Sequence, residues 1–194
     1  MVINLIGECD KRAVLYTLMK ICQGLGDVLL ITSSTRISRL SDTHETYGHY
    51  QNTMLAITND GIDDFFEDFK YDMDDFEFVI IDNIIAAEAD LTIYVQGYYQ
   101  SESEKESLEY IEDYATINLY KDRMLSNDTP YKLEEFESHR NLCTVAPKVA
   151  EAVSEIMGQR LGKNPKNLLG IATKDTNAMP KQKPSKTLFA KWKR

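Results

Sequence analysis

Apolar residues gather in short runs separated by polar stretches. The first run, Val2-Ile-Asn-Leu-Ile6, ends at Gly7 and predicts a buried strand. From about Lys11 to Gln23 the apolar positions Val14, Leu15, Leu18, Met19 and Cys22 recur at helical spacing. Gly24 and Gly26 interrupt that pattern, as a helix C-terminus does. Val28 to Thr32 is a second run, rich in branched side chains, which suits a parallel strand covered on both faces. Strand, helix and strand within about 32 residues form a βαβ unit.

The pattern continues in the same style. Thr32 to Tyr50 is polar, and Gln51 to Thr58 predicts an edge strand followed by the turn signal Asn59-Asp60-Gly61. Ile62 to Phe69 predicts a short acidic helix, and Phe76 to Asp82 is the clearest strand. Leu91 to Val95 is a further strand, Ser101 to Tyr114 a charged helix and Ala115 to Tyr120 another strand. Leu142 to Val145 reads as a short strand, followed by a helix from Lys148 to Gln159. Strands alternating with helices imply an α/β fold, a mostly parallel doubly wound sheet with helices on both faces. After Leu161 the glycines, prolines and lysines interrupt any long pattern. The division is therefore an α/β domain over 1–160 and a basic, Pro/Lys-rich tail over 161–194.

Charge sharpens that division. The 194 residues carry a formal net charge of -9. Arg160 to Arg194 contains ten Lys and Arg and the single acid Asp175, a net +9, which leaves -18 on residues 1–159. A strongly acidic body disfavours nonspecific nucleic-acid binding, except through the tail. No apolar run approaches the roughly 20 residues that span a bilayer, and no basic-then-apolar leader opens the chain. Cys9, Cys22 and Cys143 form no metal or disulfide framework. A reducing cytoplasm is the expectation.

In an open α/β sheet, ligands bind beyond the carboxyl ends of the strands. The turn Gly7-Glu-Cys-Asp-Lys-Arg12 is the first candidate. It has one Gly and one Lys, whereas a phosphate loop needs several glycines, a Lys and a Ser/Thr. Glu8 and Asp10 bring negative charge, so a plain turn with Asp10 capping the helix competes with a nucleotide site. Asp82 ends an apolar strand, as a magnesium-holding Asp does in P-loop NTPases, or as a turn-capping Asp does. Cys9 stands at a helix N-terminus, but Glu8 and Asp10 beside it oppose thiolate formation. His44, His49 and His139 lack metal spacing. The acidic run from Asp63 to Asp75 lacks the order of a calcium loop. In the tail, Leu188, Phe189 and Trp192 share one face of a short helix amid lysines. Such a segment suits a partner groove or an acidic membrane surface.

Taken together, these elements resemble the MinD/ParA-like, deviant Walker branch of P-loop ATPases. The matching parts are Val2 to Lys11 with the following helix, Val28 to Thr32, Phe76 to Asp82, and Ala86 to Asp90 ahead of Leu91 to Val95. Thr144 to Pro147 and its helix also match. The glycine-rich loop with two lysines is missing, Asp10 is only a loose counterpart of the loop's catalytic Asp, and Thr32-Ser33-Ser34 replaces the Asp after strand two. Asn83 and Ile84 follow Asp82 where the family continues with Asp-x-Pro.

The resemblance therefore implies a degenerate member without catalytic residues. It would act as a non-catalytic scaffold or positioning protein in a pilus, secretion or conjugation assembly. Its partners would be proteins, with a homodimer across the old nucleotide face and membrane-surface contact through Leu188, Phe189 and Trp192. The location would be cytoplasmic, peripheral to the inner face of the membrane. No cofactor is expected. The alternative is an ATPase that binds ATP with Mg through Gly7, Lys11 and Asp82. A third reading is a partition-like protein that contacts nucleic acid through its tail.

Overall fold

The alternation of runs builds a seven-stranded sheet. The computed structural model describes residues 1–34, 37, 47–58, 66, 71–82, 89–119 and 147–174. Its strands are β1 (Val2–Ile6), β2 (Val28–Thr32), β3 (Tyr47–Tyr50), β4 (Thr53–Ile57), β5 (Phe78–Asp82), β6 (Leu91–Gln96) and β7 (Ala115–Asn118). The described helices are α1 (Arg12–Gln23), α2 (Glu102–Glu109), α3 (Pro147–Leu161) and α4 (Pro165–Thr173). The strand order is β3-β4-β2-β5-β1-β6-β7. Every pairing is parallel except β3 with β4. The chain is thus α/β with a mostly parallel sheet. In the Rossmann order 3-2-1-4-5-6 the first two strands are neighbours. Here β5 lies between them, which brings Asp82 beside the end of β1.

Period-two alternation assigns each side chain to a face. Ile3, Leu5, Leu30, Ile80, Ile93 and Val95 join one core with α1, α3 and α4. Leu29, Ile31, Met54, Val79 and Ile81 form the opposite core with Tyr71 and Phe76, whose rings lie 5.6 Å apart. Each such side chain, fully buried, contributes roughly 1.5–3 kcal/mol before entropy is subtracted. Helix α1 is covered along nearly its whole length, because α3 and α4 pack against it as well as the sheet.

Three elements differ from the expectation. The segment 51–58 was expected at the edge, but β4 is interior and β3 is the outer strand. β3 escapes the apolar pattern because an outer strand needs only partial cover. Gln51-Asn52 joins the two as a two-residue turn, with Tyr50 opposite Thr53. Gln51 takes the left-handed φ of 55°, a conformation usually signalled by Asn-Gly or Gly. Asn52 anchors the turn by donating to Gln23 O at 3.1 Å and Gly26 O.

The helix expected over 101–114 stops at Glu109. Glu109, Glu112 and Asp113 crowd its C-terminus, where the helix dipole is negative, and the chain must extend to pair β7 with β6.

The third difference lies in 161–174, read as tail. Gly162 adopts φ 61° and Lys163 N donates to Gly158 O at 3.0 Å, the six-to-one bond of a Schellman stop. Asn164 then accepts from Lys166 N at 2.9 Å, with Pro165 in the first turn, which starts a new helix. The apparent breakers are stop and start signals. Leu168 and Ala172 of α4 are buried. The ammonium of Lys20, itself buried, donates to Lys174 O at 2.8 Å and closes the end of α4. Leu168→Ala is therefore expected to cost about 2–5 kcal/mol in urea unfolding. A loss under about 0.5 kcal/mol, typical of a surface change, would place α4 outside the core.

Ile62–Phe69 apart from Phe66, Asn59-Asp60-Gly61, Leu142–Val145, His44, His139, Cys143 and the segment 175–194 lie outside the described residues. No described helix is long and apolar enough to cross a membrane.

Candidate functional site

The site grows from the turn that joins β1 to α1. Gly7 holds φ 129°, and a Cβ there would sit 2.3 Å from Val95 O on β6. Only glycine can pass so close to the neighbouring strand in that conformation. The turn then directs Lys11 back under itself, where its ammonium donates to Gly7 O at 2.8 Å. The same ammonium meets Asp82 Oδ1 at 3.1 Å, with both side chains about 95% buried. Asp82 Oδ2 accepts from Thr32 Oγ1 at 2.8 Å, and Ser34 N donates to Thr32 Oγ1 at 3.0 Å. Sheet register makes this geometry: Thr32 and Leu5 both stand opposite Asp82.

Gly7, Lys11 and Asp82, singled out from the sequence, thus converge at the carboxyl ends of β1, β2 and β5. Thr32, noted there only as a replacement for an acid, holds the second carboxylate oxygen. Asp10 stands two residues before the start of α1, whose N-cap is Lys11. Asp10 accepts from Arg12 N at 3.2 Å and from the Arg12 side chain at 2.8 and 2.6 Å. The expected cap is therefore absent: the N-cap Lys11 makes no side-chain cap bond, and Asp10, one residue farther out, closes a local turn and ion pair with Arg12 instead.

Glu104 is the residue that sequence reasoning passed over. It is buried and comes from α2. Its Oε1 accepts from Glu8 N at 2.6 Å. The other oxygen accepts from Ser101 N at 3.3 Å while Ser101 Oγ accepts from Glu104 N at 3.0 Å. That reciprocal pair is a capping box, and Ser-x-x-Glu was the available signal. The reach across to Glu8 had no local signature. Tyr94 OH approaches the same carboxylate at 3.5 Å. Burial, then the charge of Glu104, pushes the Tyr94 phenol up to about 12. Glu8 itself is held below the usual carboxylate range by hydrogen bonds from Ser103 and then Ser101.

Two crevices flank Lys11. One, of about 200 Å³, is lined by Ile6, Gly7, Glu8, Tyr94, Glu104 and Leu108 among others. The second, of about 280 Å³, is lined by Cys9, Asp10, Arg12, Leu15, Ser34 and Asp82. Both lie beyond the carboxyl ends of the strands, where open sheets take ligands.

The surrounding groups are unsuited to a triphosphate. A phosphate loop aims successive N–H groups at the anion. Here the Glu8 and Arg12 amides face carboxylates of the chain, Glu104 and Asp10, and the lysine faces Asp82. An incoming phosphate would meet these three negative groups.

Cys9 donates to Val95 O at 3.2 Å. Burial pushes its thiol up to about 11, with Glu104 and Asp10 adding and Lys11 opposing. It is a packed thiol rather than a nucleophile at neutral pH, and burial leads the shift where flanking charge was expected to. Asp72 and Asp75 close a capping box around a single 3-10 turn, Met73–Asp75, so the described part of the acidic run serves local structure. His49 lies on β3, and burial lowers its pKa. No group of three His, Cys, Asp or Glu among the described residues is placed to hold a metal. Leu188, Phe189 and Trp192 lie outside the described residues.

The chain matches no family model, no curated protein and no solved structure.

Proposed function

We propose that this chain is a non-catalytic scaffold or positioning protein built on a degenerate MinD/ParA-like, doubly wound fold. It would serve a cytoplasmic or membrane-associated assembly of the pilus, secretion or conjugation type, through protein partners. The observation that carries this reading is the self-contained phosphate corner. Lys11 is neutralised by Asp82 inside the protein, and Glu104 and Asp10 take the turn amides. In an active NTPase the lysine, the metal-holding Asp and the loop amides all address the nucleotide. Here each addresses another group of the chain. The strand order supports the fold side of the reading, since it sets the Asp82 strand directly beside β1. A fold of this kind keeps its rigidity when the site is internally satisfied, and rigidity is what a positioning surface needs.

Calorimetric titration of the full chain with ATP, ADP and GTP in the presence of magnesium tests the proposal. No saturable heat is expected, corresponding to a Kd weaker than about 1 mM. A micromolar Kd accompanied by steady hydrolysis would overturn the scaffold reading in favour of an ATPase with a nonstandard loop.

A further inference from the structure

Every large hydrophobic side chain that is exposed among the described residues falls between 98 and 114. These are Tyr98, Tyr99, Tyr110 and Tyr114, which are 72, 83, 86 and 38% exposed. They border α2 at both ends. Tyr98 and Tyr99 precede it and meet edge to face with centroids 4.6 Å apart. Tyr110 is its C-cap, and Tyr114 packs edge-on against Tyr94 at 6.1 Å. Tyrosine offers a large apolar ring with a polar tip, which is why it concentrates at interfaces. Four flanking one helix, with no other large hydrophobic side chain exposed among the described residues, mark α2 as a candidate contact surface.

Charge selects the occupant. The stretch 98–114 holds six acids and one base, Lys105. That base is paired with Glu102 at 2.6 Å. Glu106, Glu109, Glu112 and Asp113 are exposed beside the rings. The complement is a basic segment carrying apolar and aromatic side chains. Residues 181–194 have that composition: six Lys and Arg, no acid, Leu188, Phe189 and the only Trp of the chain.

We propose that residues 181–194 dock on the tyrosine-rich, acidic surface of α2 in the same molecule. Between Lys174 and Leu188 lie 13 residues, which extend to at most about 45 Å. Apolar contact with the rings supplies affinity, and the opposed charges set orientation and exclude other surfaces. The docking is independent of whether the Lys11 corner holds nucleotide.

Trp192 is its own reporter. In the full chain its emission should lie to the blue of that of the synthetic peptide 181–194, with weaker quenching by acrylamide. The difference should not depend on protein concentration. It should shrink but persist in 1 M salt, which screens charges beyond about 3 Å and leaves the apolar contact. Tyr99→Ala and Tyr110→Ala should each lower the docked-to-free ratio about two- to tenfold, the size of one aromatic contact. Glu109→Lys should lower the docked-to-free ratio severalfold, the size of one exposed charge reversal, and adding Lys191→Glu should recover part of it. Carbodiimide coupling in the unaltered chain should join lysines of 181–194 to acids of 102–113. Trp192 as accessible as in the peptide, with no such couplings, would overturn the proposal. Protection that rises with protein concentration would overturn it in favour of a second copy. Protection seen only with anionic phosphatidylserine vesicles would overturn it in favour of a membrane surface.

Discussion

Lys11→Met is expected to lower the unfolding free energy by about 3–5 kcal/mol, because it leaves the buried Asp82 carboxylate without its counter-charge. Asp82 and Lys11 are both about 95% buried and lie 3.1 Å apart. The substitution also removes the hydrogen bond to Gly7 O. Asp82→Asn alone is expected to cost a similar amount, since it leaves the ammonium buried. The double variant Lys11→Met, Asp82→Asn has no unpaired charge, and Asn can still accept from Thr32 Oγ1. It should therefore recover most of the loss, giving a coupling energy of about 3 kcal/mol or more, at or above the top of the roughly 0.5–3 kcal/mol range for contacting residues. Urea unfolding of the four proteins measures it directly. Additive single effects, with no recovery in the double variant, would show that the pair does not act as a unit. The distinction reaches function. A lysine kept for nucleotide would weaken ligand binding when removed and leave folding nearly intact.

The second large effect is expected at Gly7. Alanine there meets two penalties. It must adopt φ 129°, and its Cβ would lie 2.3 Å from the carbonyl oxygen of Val95. That oxygen belongs to a strand of the sheet and also accepts from Cys9, so it cannot move aside like a flexible side chain. Strain in such a conformation is of order 1–3 kcal/mol, and overpacking adds roughly 1–3 kcal/mol more. Gly7→Ala should thus cost about 3 kcal/mol or more. Gly162 separates the two penalties. Its φ is 61° and a Cβ would meet nothing within 4 Å, so Gly162→Ala should cost only about 1–2 kcal/mol, the left-handed term alone. Equal losses at the two positions would mean that the approach to Val95 contributes nothing.

Much of the scaffold was legible because buried parallel strands write themselves as apolar runs. Val2–Ile6 and Val28–Thr32 appear with the same ends in sequence and structure. The convergence of Gly7, Lys11 and Asp82 was legible for the same reason, since strand ends in an open sheet collect at one edge. What escaped was non-local or depended on polar residues with two meanings. Glu104 looks like one more surface acid of a charged helix, and its burial against Glu8 depends on how α2 folds across β6. Gly162 and Pro165 break one helix and begin another, and composition alone weights only the breaking. β3 has polar residues on an outer strand, so no apolar period reveals it. The tyrosines of 98–114 were visible as letters, but only the fold distinguishes Tyr94, covered, from Tyr98 and Tyr99, exposed.

The position of β1 also dictates an order of events during synthesis. Val2 pairs with Val79, and Ile3 with Ile80 and Leu91, so β1 finds no neighbour in the sheet until residues near 80 have emerged. At about 5–20 residues per second this wait lasts several seconds. The first pairing available to the growing chain is instead the outer hairpin, where Tyr50 meets Thr53. The centre of the sheet thus closes after its border: Val28–Thr32 can pair with β4 early, whereas Val2–Ile6 stays without a strand neighbour meanwhile. Slow, topology-limited folding would make the chain's yield sensitive to translation speed between codons 32 and 82.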